Sequence, residues 1–353
     1  MSQQQTLLTS TLTDDLKKTL NGKDVDKIFI LTDENTQKVC FPILKTEEEF
    51  NEATLIVIPA SDSNKNINTL TTVWEKLSTE GGSRQSLLIN LGGGMVTDLG
   101  GFAASTFKRG ISYYNIPTTL LAMVDASMGG KTGINFLGLK NEIGVFNPPS
   151  KVWIHTEFLK TLDNKNLLSG YAEMIKHGLI STVKHWNSLM AFDLEQIDYK
   201  LMQQLIGESI ETKELIVNQD PLEQGIRKAL NLGHTIGHAF ESFAMQYNNG
   251  VYHGYAVAWG LLCELYLSHL IHQFPQKTLQ QLLYFVKENY GGFYFTCNDY
   301  ETLYSFMLHD KKNKGGVINF TLLKDIGQIE INQTATKEQI FETFDFYRDA
   351  MGI

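Results

Sequence analysis

Cysteine is scarce: 353 residues hold only Cys40, Cys263 and Cys297, widely spaced and with no CxxC pair. Such a set builds no disulfide framework and suits a reducing cytoplasm. Long apolar runs are missing too. The longest, such as Ser86–Leu91, fall far short of the ~20 residues that cross a bilayer. The opening stretch MSQQQTLLTSTLTDD has no basic segment followed by an apolar core, so no secretory signal is expected. Positive charge is in deficit: 30 Lys and Arg against 39 Asp and Glu leave −9 at pH 7. A nucleic-acid protein needs the opposite balance to meet the phosphates, so the charge argues against that class. A small anionic substrate is not, because a few clustered cations make a local basic pocket. Repeats and low-complexity segments are absent. The 42% hydrophobic and 20% charged content is that of a globular chain with a real core, not a disordered one.

Apolar runs in the first part alternate with helical patterns. Lys27–Thr32, Ala53–Ile58, Ser86–Leu91 and Ile111–Ile116 read as strands, and Ile67–Ser78 and Val96–Thr106 as helices. That alternation predicts a parallel sheet with helices on its faces, and ligands at the carboxyl ends of its strands. Beyond about residue 155 the pattern turns helical: Asn166–Ile180, Tyr199–Asn218, Thr235–Gln246, Tyr255–His272, Gln276–Asn289, Tyr300–Leu308 and Lys337–Ala350. Residues 314–324 and Gln328–Asn332 read as a hairpin around Asp325-Ile326-Gly327. The break falls near Pro148-Pro149-Ser150, giving an α/β nucleotide-type domain over 1–155 and a mostly helical domain over 156–353.

Three constellations carry chemistry. Gly92-Gly93-Gly94 joins a strand to a helix, where glycines let a backbone approach a phosphate and a helix N-terminus offers amides. The strict GxGxxG pattern fails at Thr97, and a tight strand–helix turn explains the glycines equally well. Asp33 after the first strand, and Asp62 with Lys65 after the second, add groups suited to a ribose or a pyrophosphate. The second constellation is metal-like. His234 and His238 stand four apart on one helix face, His253 follows, and Glu173 is an acid on an otherwise apolar helix. Thr235 stands where a zincin has glutamate. Glu173 and two histidines leave a divalent ion an open position for a substrate oxygen. A lone histidine is more often a hydrogen-bonded structural imidazole, and His155, His185, His269, His272 and His309 are read so. The third is cationic: Arg109-Gly110, Gly129-Gly130-Lys131-Thr132-Gly133 and Lys140-Asn141. It lacks the first P-loop glycine, which excludes a P-loop NTPase and leaves a phosphate or carboxylate pocket.

Taken together, the segments GGGMVTDLGGFAASTFKRG (92–110), IPTTLLAMVDASMGGKTGIN (116–135), GLKNEIG (138–144), GYAEMIKHGLI (170–180), RKALNLGHTIGHAFE (227–241), HGYAVAWG (253–260) and HDKKNKGG (309–316) closely resemble the 3-dehydroquinate synthase family of the sugar-phosphate cyclase superfamily. They run in the family's order across most of the chain. The resemblance implies an α/β Rossmann-like N-terminal domain and a mostly α-helical, metal-binding C-terminal domain. It implies a tightly held NAD⁺, one divalent metal (zinc or cobalt), a homodimer, and a cytoplasmic carbon–oxygen lyase of the shikimate pathway to chorismate and the aromatic amino acids. Glu173, His234 and His253 fall on the metal-ligand positions and His238 on the catalytic histidine. Lys131, Lys140, Asn141, Lys176, Lys213, Arg227, Asn231 and one of the Lys311/Lys312 pair fall on substrate contacts. Arg109 falls on an arginine that reaches the phosphate in the neighbouring subunit. Asp33, Asn35, Asp62, Lys65, Gly93, Gly94, Asp98, Thr118 and Thr119 fall on dinucleotide contacts, and Asp125 lies between the two sets. Asp62 (commonly Glu), Met123 and Phe136-Leu137 depart from the commonest motifs without removing a chemical group.

The implied reaction turns 3-deoxy-D-arabino-heptulosonate 7-phosphate into 3-dehydroquinate and phosphate through transient oxidation, phosphate elimination, reduction and ring closure, with no membrane or nucleic-acid partner. Two alternatives share the fold. A sister cyclase acting on another sugar phosphate is disfavoured by Lys213, Arg227 and Asn231. A metal-dependent alcohol or glycerol dehydrogenase is disfavoured by the phosphate-type set Lys131, Lys140, Asn141 and Arg109.

Overall fold

The computed structural model describes residues 4–44, 50, 52–137, 139–247, 249–309 and 317–353. The chain divides into two compact units, Met1–Asp163 and Asn164–Ile353. The sequence places the break after His155. The short helical turn Thr156–Thr161 instead goes with the first unit, and its Phe158 and Leu159 are buried.

Unit 1 is built on six parallel strands: β1 (Gln5–Leu8), β2 (Ile28–Asp33), β3 (Thr54–Ile58), β4 (Leu87–Gly92), β5 (Ser112–Pro117) and β8 (Lys151–Ile154), in the order β1-β8-β5-β4-β2-β3. The chain steps from β2 to β3 on one side and then crosses to β4 on the other. The strand order therefore reverses between β2 and β4, where open α/β sheets form a ligand crevice. β4 is buried at all six positions, as a run of Leu and Ile covered on both faces must be. Between the strands lie α1 (Leu12–Leu20), α2 (Glu34–Val39), α3 (Phe41–Leu44), α4 (Ile67–Thr79) and α5 (Gly94–Thr106). Leu70, Val73 and Leu77 of α4 and Val96, Leu99 and Phe102 of α5 pack on Phe29, Leu31, Ile56 and Leu88 of the sheet. α5 lies so close that a methyl group on Gly100 would stand 2.0 Å from the Asn90 amide oxygen.

The four strands read from the sequence are β2, β3, β4 and β5. The short half-buried β1, α1 and the closing β8 escape periodicity analysis, as does an antiparallel hairpin, β6 (Lys131–Phe136) with β7 (Leu139–Phe146). Every described residue of β7 is solvent-exposed, so no one-sided burial marks it as a strand.

Unit 2 holds α6 (Asn164–Ile180), α7 (Val183–Met190), α8 (Tyr199–Gln219), α9 (His234–Gln246), α10 (His253–His272), α11 (Gln276–Asn289), α12 (Tyr300–Leu308) and α13 (Lys337–Met351), with the hairpin β9 (Phe320–Asp325) and β10 (Gln328–Gln333). β9 starts later than the sequence suggests; residues 314–316 lie outside the described set. α10 is apolar all round, with Val257, Leu261, Leu262 and Leu265 buried, because helices surround it. Beside it Phe240, Phe293, Phe295, Phe344 and Tyr347 form one aromatic cluster, with the Phe240–Phe293 ring centroids 4.9 Å apart.

Candidate active site

Three helices of unit 2 each bring one ligand-type side chain to a common point. Glu173 is in the middle of α6, His234 opens α9 and His253 opens α10. Close backbone crossings hold these helices in place. A methyl group on Gly254 would stand 1.9 Å from the Ser169 carbonyl oxygen of α6, and one on Gly237 2.8 Å from the Ala256 carbonyl oxygen of α10. The Gly254 amide donates to Ser169 Oγ at 3.0 Å, which tethers the start of α10 to α6.

Glu173 is fully buried, and neither of its oxygens carries a hydrogen bond of good geometry. They face the Lys176 ammonium and the imidazoles of His234 and His253, each Nε2 lying 3.4 Å from Oε1. Burial opposes its ionisation, yet Lys176 and His234 hold its carboxyl well below the usual carboxylate range. A tetrahedral ion with ligands at about 2.05 Å needs neighbouring donor atoms about 3.3 Å apart. The observed spacing fits that demand, and the three donor atoms all lie within 4.8 Å of one another.

The outer nitrogens fix the tautomers. His234 Nδ1 lies 3.0 Å from the Leu232 carbonyl oxygen, which only accepts, so Nδ1 carries the proton and Nε2 offers its lone pair. His253 Nδ1 lies 3.3 Å from Glu241 Oε2, which turns its Nε2 to Glu173 in the same way. Burial would depress the His253 pKa, but Glu241 and Glu173 push it up to about 10. A cation is therefore wanted here, and in a metal-bound site the ion supplies that charge in place of the proton. Glu241 carries no role in the sequence reading; its place about one turn after His238 and two turns after His234 on α9 is the signal that could have pointed to it.

His238, one turn after His234, is half-buried, its ring centroid 5.4 Å from that of His234 and 6.0 Å from that of His253. Lys176 and Lys213 are almost wholly buried. Arg227 is also buried, its guanidinium donating to the Pro221 carbonyl at 2.6 Å. Asn231 Nδ2 donates to Glu223 Oε1 at 3.1 Å. Lys311 and Lys312 lie outside the described residues.

In unit 1 the dinucleotide-type residues stand at strand ends around the reversal of strand order. Asp33, last in β2, caps α2 by accepting from the Asn35 and Thr36 amides, both at 2.8 Å. Gly93 and Gly94 join β4 to α5, and a methyl group on Gly93 would touch the Thr119 side chain at 3.0 Å. Thr118 donates its backbone N–H to the Gly92 carbonyl at 3.0 Å, binding the ends of β5 and β4 together. The bare N-terminus of α5, with no side-chain cap, leaves its amides directed at this edge. Asp125 lies in a single wide turn, Ala122–Ala126.

Lys65 organises the next group. Its buried ammonium donates to Asp98 Oδ2 at 2.9 Å and Asn141 Oδ1 at 2.6 Å, and lies 3.5 Å from Asp62. Burial would lower the Lys65 pKa, but Asp98 and Asp62 raise it; burial also pushes the Asp98 carboxyl up. Asn135 closes the network, donating to the Asp62 carboxylate at 3.2 Å and accepting the Asn141 amide at 2.9 Å. The sequence reading gave Asn135 no role. Lys131 and Lys140 are exposed on the hairpin of β6 and β7, and Asn141 adopts φ +51° there. Arg109 sits apart, on a left-handed turn after α5 in which Lys108 (φ +49°), Arg109 (φ +70°) and Gly110 (φ +113°) follow one another.

Comparisons with known proteins identify the family. The N-terminal model of 3-dehydroquinate synthase matches residues 55–169 and the C-terminal model residues 170–313. The 3-dehydroquinate synthase of Parabacteroides distasonis is 54% identical over the full length of both chains. That of Pyrococcus furiosus is 36% identical over 88% of this chain and 90% of its own. Among solved structures, a 2-epi-5-epi-valiolone synthase from Streptomyces hygroscopicus with NAD⁺ and Zn²⁺ bound superposes with a TM-score of 0.88 at 22% identity, covering 99% of this chain and 98% of that one. A 2-deoxy-scyllo-inosose synthase complexed with carbaglucose-6-phosphate, NAD⁺ and Co²⁺ gives 0.84 at 22% identity, covering 97% and 96%. The fold is shared with these two synthases, and the chain belongs to the 3-dehydroquinate synthase family.

Proposed function

We propose that this chain carries out the reaction of its family, converting 3-deoxy-D-arabino-heptulosonate 7-phosphate to 3-dehydroquinate and phosphate. The observation that carries the reading, beside full-length similarity, is the meeting of Glu173, His234 and His253 with donor atoms at metal-ligand spacing. When bound, NAD⁺ supplies a reversible two-electron acceptor and the divalent ion a Lewis acid. Glu173, His234 and His253 hold the ion. Asp33, Asn35, Asp62, Lys65, Gly93, Gly94, Asp98, Thr118, Thr119 and Asp125 hold the dinucleotide.

The remaining residues manage charge and protons. Lys131, Lys140 and Arg109 face the phosphate, and their fixed charge favours its departure as negative charge builds on it. Lys65 holds Asn141 by its side-chain oxygen, and Asn141 so held orients a substrate oxygen. Lys176, Lys213, Arg227 and Asn231 bind the carboxylate and hydroxyls, joined by one of the Lys311/Lys312 pair. His238 holds or accepts a proton at a ring nitrogen, a task suited to an imidazole near neutral pH. Buried Lys176, Lys213 and Arg227 explain how a chain of net charge −9 takes an anionic substrate.

The finer reading is a cytoplasmic homodimer in which Arg109 serves the partner's phosphate. One helix among the described residues, His253–His272, is long and apolar enough to cross a membrane, and 72% of that window is buried in the fold. A phosphate-release assay on the heptulosonate phosphate, run beside sedoheptulose 7-phosphate and followed at the nicotinamide absorbance, tests the activity. Phosphate released from the first substrate only, with no build-up of NADH, supports the cycle. Sustained NADH production moves the chain to the dehydrogenase reading, and preference for the second sugar moves it to a sister cyclase.

A further inference from the structure

A buried carboxylate outside the ligand set meets the backbone at the start of α9. Glu264 lies on α10 about three helical turns after His253, hence on the same side of the helix. It is wholly buried on a helix whose buried neighbours Leu261, Leu262 and Leu265 are apolar. A carboxylate in such surroundings is costly without strong hydrogen-bond donors. It has two on the neighbouring helix: the Gly233 amide donates to Oε2 at 2.6 Å and the Ile236 amide to Oε1 at 3.0 Å. These amides belong to the first turn of α9, and His234 lies between them in sequence.

The first turn of a helix needs a side-chain acceptor, usually from its own N-cap residue. Here that residue is Gly233, in the left-handed region at φ +79° and with no side-chain cap. A side chain at that point has no room, because a methyl group on Gly233 would stand 2.6 Å from Leu261 Cγ. Glu264 supplies the cap from the adjacent helix, and its negative charge suits the positive end of α9. The same α10 thus carries one imidazole at its own start and, three turns on, grips the peptide that carries the other. Its backbone also ties into β9: Ser268 Oγ donates to the Glu264 carbonyl at 2.7 Å and accepts the Leu323 amide at 3.1 Å.

We propose that Glu264 is a positioning residue of the metal centre, a cap donated across helices that sets His234 relative to His253. The inference rests on His234 and His253 being ligands. It differs from an ordinary structural cap in its consequence: loss of the clamp changes the coordination of the ion in a protein that is still folded.

The test titrates the full-length chain with Co²⁺ and Zn²⁺, reading affinity and the visible Co²⁺ spectrum, with far-ultraviolet circular dichroism as the check on folding. E264Q keeps the side chain's shape but turns one N–H₂ group toward a backbone N–H, so one of the two bonds is lost. Outer partners of metal ligands typically contribute 10- to 100-fold in affinity, and a loss of about that size with an altered Co²⁺ spectrum is expected. Leu282→Ala, a cavity variant in α11, is expected to lower the melting temperature while leaving the Co²⁺ spectrum unchanged. H234A separates the two readings. If H234A keeps stoichiometric metal, the ligand assignment fails; if H234A loses it while E264Q binds within twofold with an unaltered spectrum, the positioning role fails. Should E264Q not fold, E264D decides by the same titration, its shorter arm withdrawing from at least one amide. In the unaltered chain, hydrogen exchange at the Gly233 and Ile236 amides is expected to be as slow as in the interior of α10, and exchange at open-loop rates overturns the inference.

Discussion

Gly260 of α10 faces the point where α9 begins, and alanine there is a small change with a large expected effect. Its methyl carbon would lie 2.0 Å from the Gly233 carbonyl oxygen and 2.7 Å from the Gly237 nitrogen. Side-chain carbons essentially never come within 3.0 Å of such atoms, and both obstacles are backbone. Relief therefore requires the two helices to part by about 1 Å, since no side chain can simply rotate away. Overpacking of this kind costs about 1–3 kcal/mol. For a unit of this size that corresponds to a fall in melting temperature of roughly 2–12 °C. The functional cost is larger. His234 follows Gly233 directly, so the same displacement moves it away from Glu173 and His253, and a ~1 Å error in a reacting constellation costs on the order of 100-fold in rate. The assays are elemental analysis of bound zinc after desalting, phosphate release, and thermal unfolding. Gly207→Ala is the companion variant: it lies inside α8 with nothing within 4 Å of the new methyl group, so alanine's better helix propensity is expected to raise stability by up to ~1 kcal/mol. If Gly260→Ala keeps full zinc and turns over within threefold of the unaltered chain, the close crossing does not set the metal geometry and the reasoning fails.

Three further outcomes are expected. Lys65→Met leaves Asp98 without its 2.9 Å partner, at a cost of about 3–5 kcal/mol for breaking a buried pair, and weakens NAD⁺ binding; chemical denaturation and dinucleotide titration check both, and an unchanged denaturation midpoint contradicts the account. His185, between Glu208 Oε2 at 2.6 Å and Ser209 Oγ at 3.1 Å, has its pKa lowered from 6.5 by burial, against the pull of Glu208. The unfolded chain then binds the proton more readily, so this contribution is complete above pH 6.5 and is lost as pH falls through the lower folded value; His185→Gln is expected to flatten the fall in melting temperature on acidification, and superimposable profiles reject the assignment. Lys131→Ala and Arg109→Ala are each expected to cost orders of magnitude in rate with the fold intact; mixing Arg109→Ala chains with chains inactivated at Glu173 is expected to restore one working site per mixed dimer, and co-purified mixed dimers without activity rule out service across the interface.

The sequence by itself determined the kinds of element and the chemistry. Leu-Leu-Ile-Asn-Leu at 87–91, short, apolar and closed by Gly92-Gly93-Gly94, reads as a strand buried on both faces, and β4 is one. Glu173 on an apolar helix and the paired His234 and His238 declared a polar purpose because such groups cost free energy unless something meets them. β7 stayed hidden because its residues face solvent without alternation, and β1 because four half-buried residues carry too little pattern. Only the tertiary structure decided which groups complete the site. Asn135, Glu241 and Glu264 are ordinary polar residues in the linear chain, and each acquires its role from a partner on another element: Asp62, His253 and the Gly233 amide. Periodicity reports which face of an element is buried. It does not report what the neighbouring element places against that face, and hydrogen bonds, tautomers and ligand spacing of 3.4 Å are set there.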